Sequence, residues 1–61
     1  MKYCVKIGNL YVNYICIGNQ KITLTDKKTS AKGFRLKKHI RALMQEFGVK
    51  HYEIEEREEQ L

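Results

Sequence analysis

From Lys2 to Ile7 apolar and polar residues alternate, with Tyr3, Val5 and Ile7 on one side and Lys2, Cys4 and Lys6 on the other. This is the period-two pattern of a half-buried strand. Leu10 to Ile17 is rich in aromatic and β-branched residues and predicts a second strand. Gly8 and Asn9 between them form a two-residue connection of the kind that favours a primed hairpin turn, because both tolerate positive φ. That register sets Ile7 opposite Leu10, Val5 opposite Val12 and Tyr3 opposite Tyr14, with all six on one face. The letters Ile-Gly-Asn recur from Ile17 to Asn19. A two-residue loop there would set Ile22 opposite Ile15 and Leu24 opposite Asn13, turning the third strand's apolar residues to the wrong face. A loop of Gly18, Asn19 and Gln20 sets Ile22 opposite Cys16 and Leu24 opposite Tyr14 instead. A one-residue slip reverses every side chain, so burial is expected to select the longer loop or a bulge. The three-stranded meander should end near Asp26.

A polar connection, "DKKTSAKGF", follows, with room for a short helical turn around Thr29 to Lys32. Leu36, Ile40, Leu43, Met44 and Phe47 then recur at helical spacing and predict a helix over about 35–47 that packs on the sheet. Gly48 stands where a C-terminal cap favours a left-handed residue. Val49 to Glu55 alternates again, with Tyr52 and Ile54 on one side, and predicts a fourth strand. The expected fold class is α+β, in the order β-β-β-α-β: an antiparallel meander sheet with one amphipathic helix on one face. The helix between the third and fourth strands suggests a right-handed crossover. Residues 1–55 make the domain, and 56–61 an acidic, frayed tail.

Sixty-one residues allow a single domain. Such a chain buries only about 60% of its unfolded surface and commonly needs a partner subunit or another support. Cys4 and Cys16 are placed on opposite faces of the sheet, where no bridge can close, and read as reduced thiols. No signal-peptide pattern opens the sequence, and no run approaches the roughly 20 apolar residues needed to span a bilayer. The expected location is cytoplasmic, with no membrane partner.

The net charge of +5 conceals a division. Residues 1–50 hold eleven Lys and Arg against Asp26 and Glu46, whereas residues 51–61 hold five Glu against Arg57. Lys37, Lys38 and Arg41 fall on the helix face away from the apolar stripe, with Lys32 and Arg35 leading in. This basic patch suits phosphates or an acidic protein surface. Lys37 and Lys38 also sit where cations oppose the helix macrodipole, so either the helix starts earlier, near Ser30, or those cations have a use.

Neither Gly-Asn pair leads from a strand into a helix N-terminus, so neither is a phosphate loop. His39 and His51 are twelve residues apart and far from the cysteines, without zinc spacing. No catalytic, cofactor-binding or metal-ligating residues are expected, and the chain reads as non-enzymatic. The reverse sheet face, with Cys4, Tyr11, Ile15 and Ile17 outward, is expected to be an apolar patch. Tyr11, Ile15 and Ile17 are the candidate protein interface, serving a homodimer or a target.

The order of elements, with Tyr3, Val5 and Ile7, then Leu24, Thr25 and Asp26, then Ala31 and Phe34 ahead of an amphipathic helix, resembles small uncharacterised proteins of phages and prophages of low-GC Gram-positive bacteria. In place of the polar cap and acidic residues that such proteins carry after the Phe, this chain has Arg35-Leu36-Lys37-Lys38. The resemblance implies a small protein that binds, and inhibits, a larger host defence or regulatory protein. The alternative is a nucleic-acid-binding module using Lys32, Arg35, Lys37, Lys38 and Arg41 against phosphates.

Overall fold

The computed structural model describes residues 2–57. Three strands, β1 (Lys2–Ile7), β2 (Leu10–Cys16) and β3 (Lys21–Thr25), form the meander. A single 3-10 turn at Lys28–Ser30 and the helix α1 (Lys37–Glu46) precede β4 (Glu53–Arg57). The sheet order is β3-β2-β1-β4, so the last strand joins the free edge of β1. It pairs antiparallel, from Lys2↔Arg57 to Lys6↔Glu53. β3 and β4 therefore run in opposite directions, and the handedness rule for parallel crossovers does not apply. β4 starts later than expected and reaches Arg57, so the anticipated boundary at residue 55 falls inside a strand. Residues 58–61 of the expected tail lie outside the described residues.

The two Ile-Gly-Asn segments behave differently. Ile7 pairs with Leu10, so the first turn has two residues, and Gly8 takes φ +64°. A glycine with positive φ at the first turn position, followed by a residue without it, is the pattern of a II′ turn. The second turn has four residues, Ile17–Gln20, with the Gln20 N–H donating to the Ile17 carbonyl at 3.2 Å. Its left-handed residue is Gln20, at φ 50°, not Gly18. Ile22 pairs with Ile15, and not with Cys16 as expected. A bulge at Asn13 then shifts the pairing so that Val12 meets Leu24. Burial does correct the slip, as expected, but within β2 and not in the loop. The bulge turns Ile15 towards the helix side and Tyr14 and Cys16 to the reverse.

The β1–β2 pairing ends early, at Lys6↔Tyr11. Beyond it the chain from Lys32 to Phe34 enters the gap. The Lys32 N–H donates to the Val12 carbonyl at 2.8 Å. Tyr3 and Phe34 exchange both backbone hydrogen bonds, at 2.7 and 2.8 Å. Tyr3 therefore stands between Phe34 and Glu56, not opposite Tyr14. Buried backbone groups must be paired, and this insertion pairs those that the parting strands leave open.

Val5, Val12, Phe34, Ile40 and Met44 form the buried core, ringed by Tyr3, Ile7, Ile15, Ile22, Leu43, Val49, Tyr52 and Ile54. Each fully buried aliphatic side chain contributes about 1.5–3 kcal/mol. α1 ends in a Schellman arrangement. Gly48, at φ +74°, donates to the Gln45 carbonyl, and the Val49 N–H reaches back to Met44 at 2.8 Å. At its start Leu36 is extended and provides no side-chain cap, and the first turn holds no acid. The helix thus begins later than expected and not near Ser30.

Two predictions follow from these registers. Gly8→Ala should cost about 1–2 kcal/mol, because only the left-handed backbone resists a Cβ there, whereas Gly18→Ala should be close to neutral; urea denaturation compares them directly. Ile15→Asp should destabilise by about 1–3 kcal/mol and Tyr14→Asp by much less. Equal effects would mean that the bulge does not reorient β2.

Candidate interaction surfaces

The reverse face of the sheet is not the apolar patch that the sequence suggested. Cross-strand pairing places Lys2, Cys4 and Lys6 beside Arg57, Glu55 and Glu53 on that side. The Tyr11 hydroxyl donates to Glu55 Oε1 at 3.2 Å, and Lys28 Nζ meets the same oxygen at 3.1 Å. Arg57 donates to the Thr29 carbonyl at 3.1 Å, and the Asn13 amide, carried by the bulge, donates to the Ser30 carbonyl at 2.6 Å. The 3-10 turn thus lies against this face, and Cys4 beneath it has no exposed surface.

Of the three expected interface residues, Ile15 packs against the helix-side core. Tyr11 is half-buried and held by Glu55. Ile17 is 62% exposed, but in the second turn and not on a strand. For Ile15 the physical reason is the bulge, which exchanges the faces of the strand residues after Asn13. It also puts Cys16 on the same side as Cys4, contrary to expectation, and both remain free thiols.

The five expected cations are all exposed and cluster before and along the first turns of α1. Two of them have intramolecular work. Lys37 Nζ lies 5.2 Å from the centre of the Tyr3 ring, and Lys32 Nζ 5.7 Å from that of Phe34. These cation–π contacts flank the Tyr3–Phe34 pair, at about 0.5–1 kcal/mol each for exposed sites. Arg35, Lys38 and Arg41 make no ion pair, hydrogen bond or ring contact among the described residues. Leu36, expected in the buried stripe, is 45% exposed in the midst of these cations. Sequence periodicity missed it, because the helix starts two residues later than expected, at Lys37, and Leu36 is extended chain.

An open groove of about 390 Å³ is lined by Lys6, Gly8, Lys50, His51, Tyr52 and Glu53. His39 and His51 are exposed. Among the described residues no three His, Cys, Asp or Glu side chains are grouped to hold a metal ion, and no helix is long and apolar enough to cross a membrane. The fold is a small α+β unit with two open sheet edges, β3 and β4. No protein-family model, curated protein or solved structure matches the chain.

Burial pushes the Cys4 thiol above its ordinary value, with Lys28 opposing the shift. A thiol reagent at neutral pH should therefore label Cys16 in the folded chain and Cys4 only on unfolding; rapid labelling of both would contradict the covered position. The hydrogen bond from Lys28 holds Glu55 below its ordinary value, and Glu55 raises Lys28 above its own. The pair's small stabilisation is then fully present between the ordinary carboxylate and lysine values, near 4.5 and 10.5. It fades as pH falls through Glu55's lowered value or rises through Lys28's raised one. The difference in urea midpoint between the natural chain and Glu55→Gln should follow that window.

Proposed function

We propose that this chain is a small, non-enzymatic interaction protein that binds an acidic protein surface through Arg35, Leu36, Lys38 and Arg41. The observation that supports this reading is the exposed Leu36 among unpaired cations. A phosphate backbone offers an apolar side chain little, whereas a protein partner can receive it in a pocket ringed by carboxylates. The cations also weaken the helix that carries them. Lys38 lies in the first turn, and Arg41 stands three and four residues after like charges at Lys38 and Lys37. A sequence free to optimise stability would place acids there, so a partner is the natural reason for the cost.

Resemblance to phage and prophage proteins makes the partner a larger protein of the host cytoplasm, inhibited by being occupied. The reading separates binding from folding. Lys38→Glu should raise stability by a few tenths of a kcal/mol up to about 1 and at the same time remove capture of the partner from nuclease-treated lysate. Leu36→Asp should also remove capture, and Gln45→Glu should leave it. Tight, strongly salt-dependent binding to duplex DNA that Leu36→Asp leaves intact would replace this reading with the nucleic-acid one.

A further inference from the structure

We infer that β3 is a self-pairing edge, and that two copies of this chain join through it into one continuous eight-stranded sheet. β3 is paired on one side only, by β2. Its sequence, Lys-Ile-Thr-Leu-Thr, is compatible with itself across a two-fold axis. An antiparallel partner centred on Thr23 sets Thr23 opposite Thr23, Ile22 opposite Leu24, and Lys21 opposite Thr25. No like charges face each other, and a Thr–Thr pair and two aliphatic pairs are favourable cross-strand neighbours.

Ile22 and Leu24 lie on the helix side, where Leu24 is 39% exposed, and Tyr14, opposite Thr23 on the reverse side, is 59% exposed. Ile22 and Leu24 border the β3 edge on the helix side, and pairing would cover them. A domain with so small a core gains stability by burying them against a second copy.

The other edge excludes itself. Centred on Glu55, two β4 strands would oppose Glu55 with Glu55, though Glu53 would meet Arg57; centred on Ile54, Glu53 with Glu55; centred on Glu56, Glu56 with Glu56, though Glu55 would meet Arg57, so every register keeps a like-charge pair. Charged edge strands resist such addition. A self-complementary edge at β3 and a self-repelling one at β4 give a closed dimer and no further growth.

A two-fold axis perpendicular to the sheet keeps both helices on the same side. With α1 above β1 and β2, the two helices would stand about four strand spacings apart, roughly 20 Å. The inference does not depend on what the cations of α1 bind.

Multi-angle light scattering of the natural chain should give twice the monomer mass at high micromolar concentration. Thr23→Lys and Thr23→Glu, at an exposed position, should each be monomeric when alone, with circular dichroism unchanged. Mixed in equal amounts they should restore the dimer, since the two substituted residues would face each other. A monomeric natural chain would overturn the inference, as would a dimer indifferent to Thr23→Lys, a mixture that stays monomeric, or growth beyond the dimer.

Discussion

The backbone exchange between Tyr3 and Phe34 is the contact on which the rest of the molecule depends. β1 and β2 hold together only near their turn, and past Tyr11 they would present unpaired amides and carbonyls at the middle of the sheet. The segment from Lys32 to Phe34 supplies the missing partners. In doing so it carries the chain from the reverse face, where Lys28 and Thr29 meet Glu55 and Arg57, to the helix face, where Phe34 joins Ile40 and Met44. The covering of Cys4, the late start of α1 and the position of its first cations all follow from that passage. Gly33 sits in its middle, where a Cβ would meet the Lys2 side chain at 2.9 Å.

Charge is arranged around this frame in two ways. On the reverse side it is neutralised within the molecule, in a network of Tyr11, Lys28, Glu55 and Arg57 that also orders the connection. At the start of α1 it is left unneutralised. Lys32 and Lys37 brace the aromatic pair, but Arg35, Lys38 and Arg41 stand in solvent, Lys38 in a first helical turn that disfavours a cation. On the sheet Lys6 faces Glu53 while Lys2 faces Arg57, so bases meet acids there at some positions only.

The local parts of the fold were legible in the sequence. Alternation located β1, aromatic and β-branched content located β2, Gly8 marked a two-residue turn, and the spacing of Ile40, Leu43 and Met44 marked the helix that Gly48 ends. What escaped was set by contacts distant in sequence. Nothing in the pattern around Asn13 announces a bulge, because its amide is recruited by Ser30, seventeen residues later. Without the bulge, alternation alone puts Ile15 on the reverse face and makes that face look apolar. Nor can periodicity show that Val12 would pair with Lys32 or Tyr3 with Phe34, since both depend on where β2 leaves β1. The basic patch was visible as composition, whereas the exposure of Leu36 within it needed the helix start to be known.

Amide hydrogen exchange followed by NMR tests the inserted segment most directly. The amides of Tyr3, Lys32 and Phe34 should exchange as slowly as that of Cys4, which faces Glu55 across the β1–β4 ladder, because all three are held by interior backbone bonds. Exchange of Lys32 and Phe34 at the rate of exposed loop amides, with Cys4 still protected, would contradict the account.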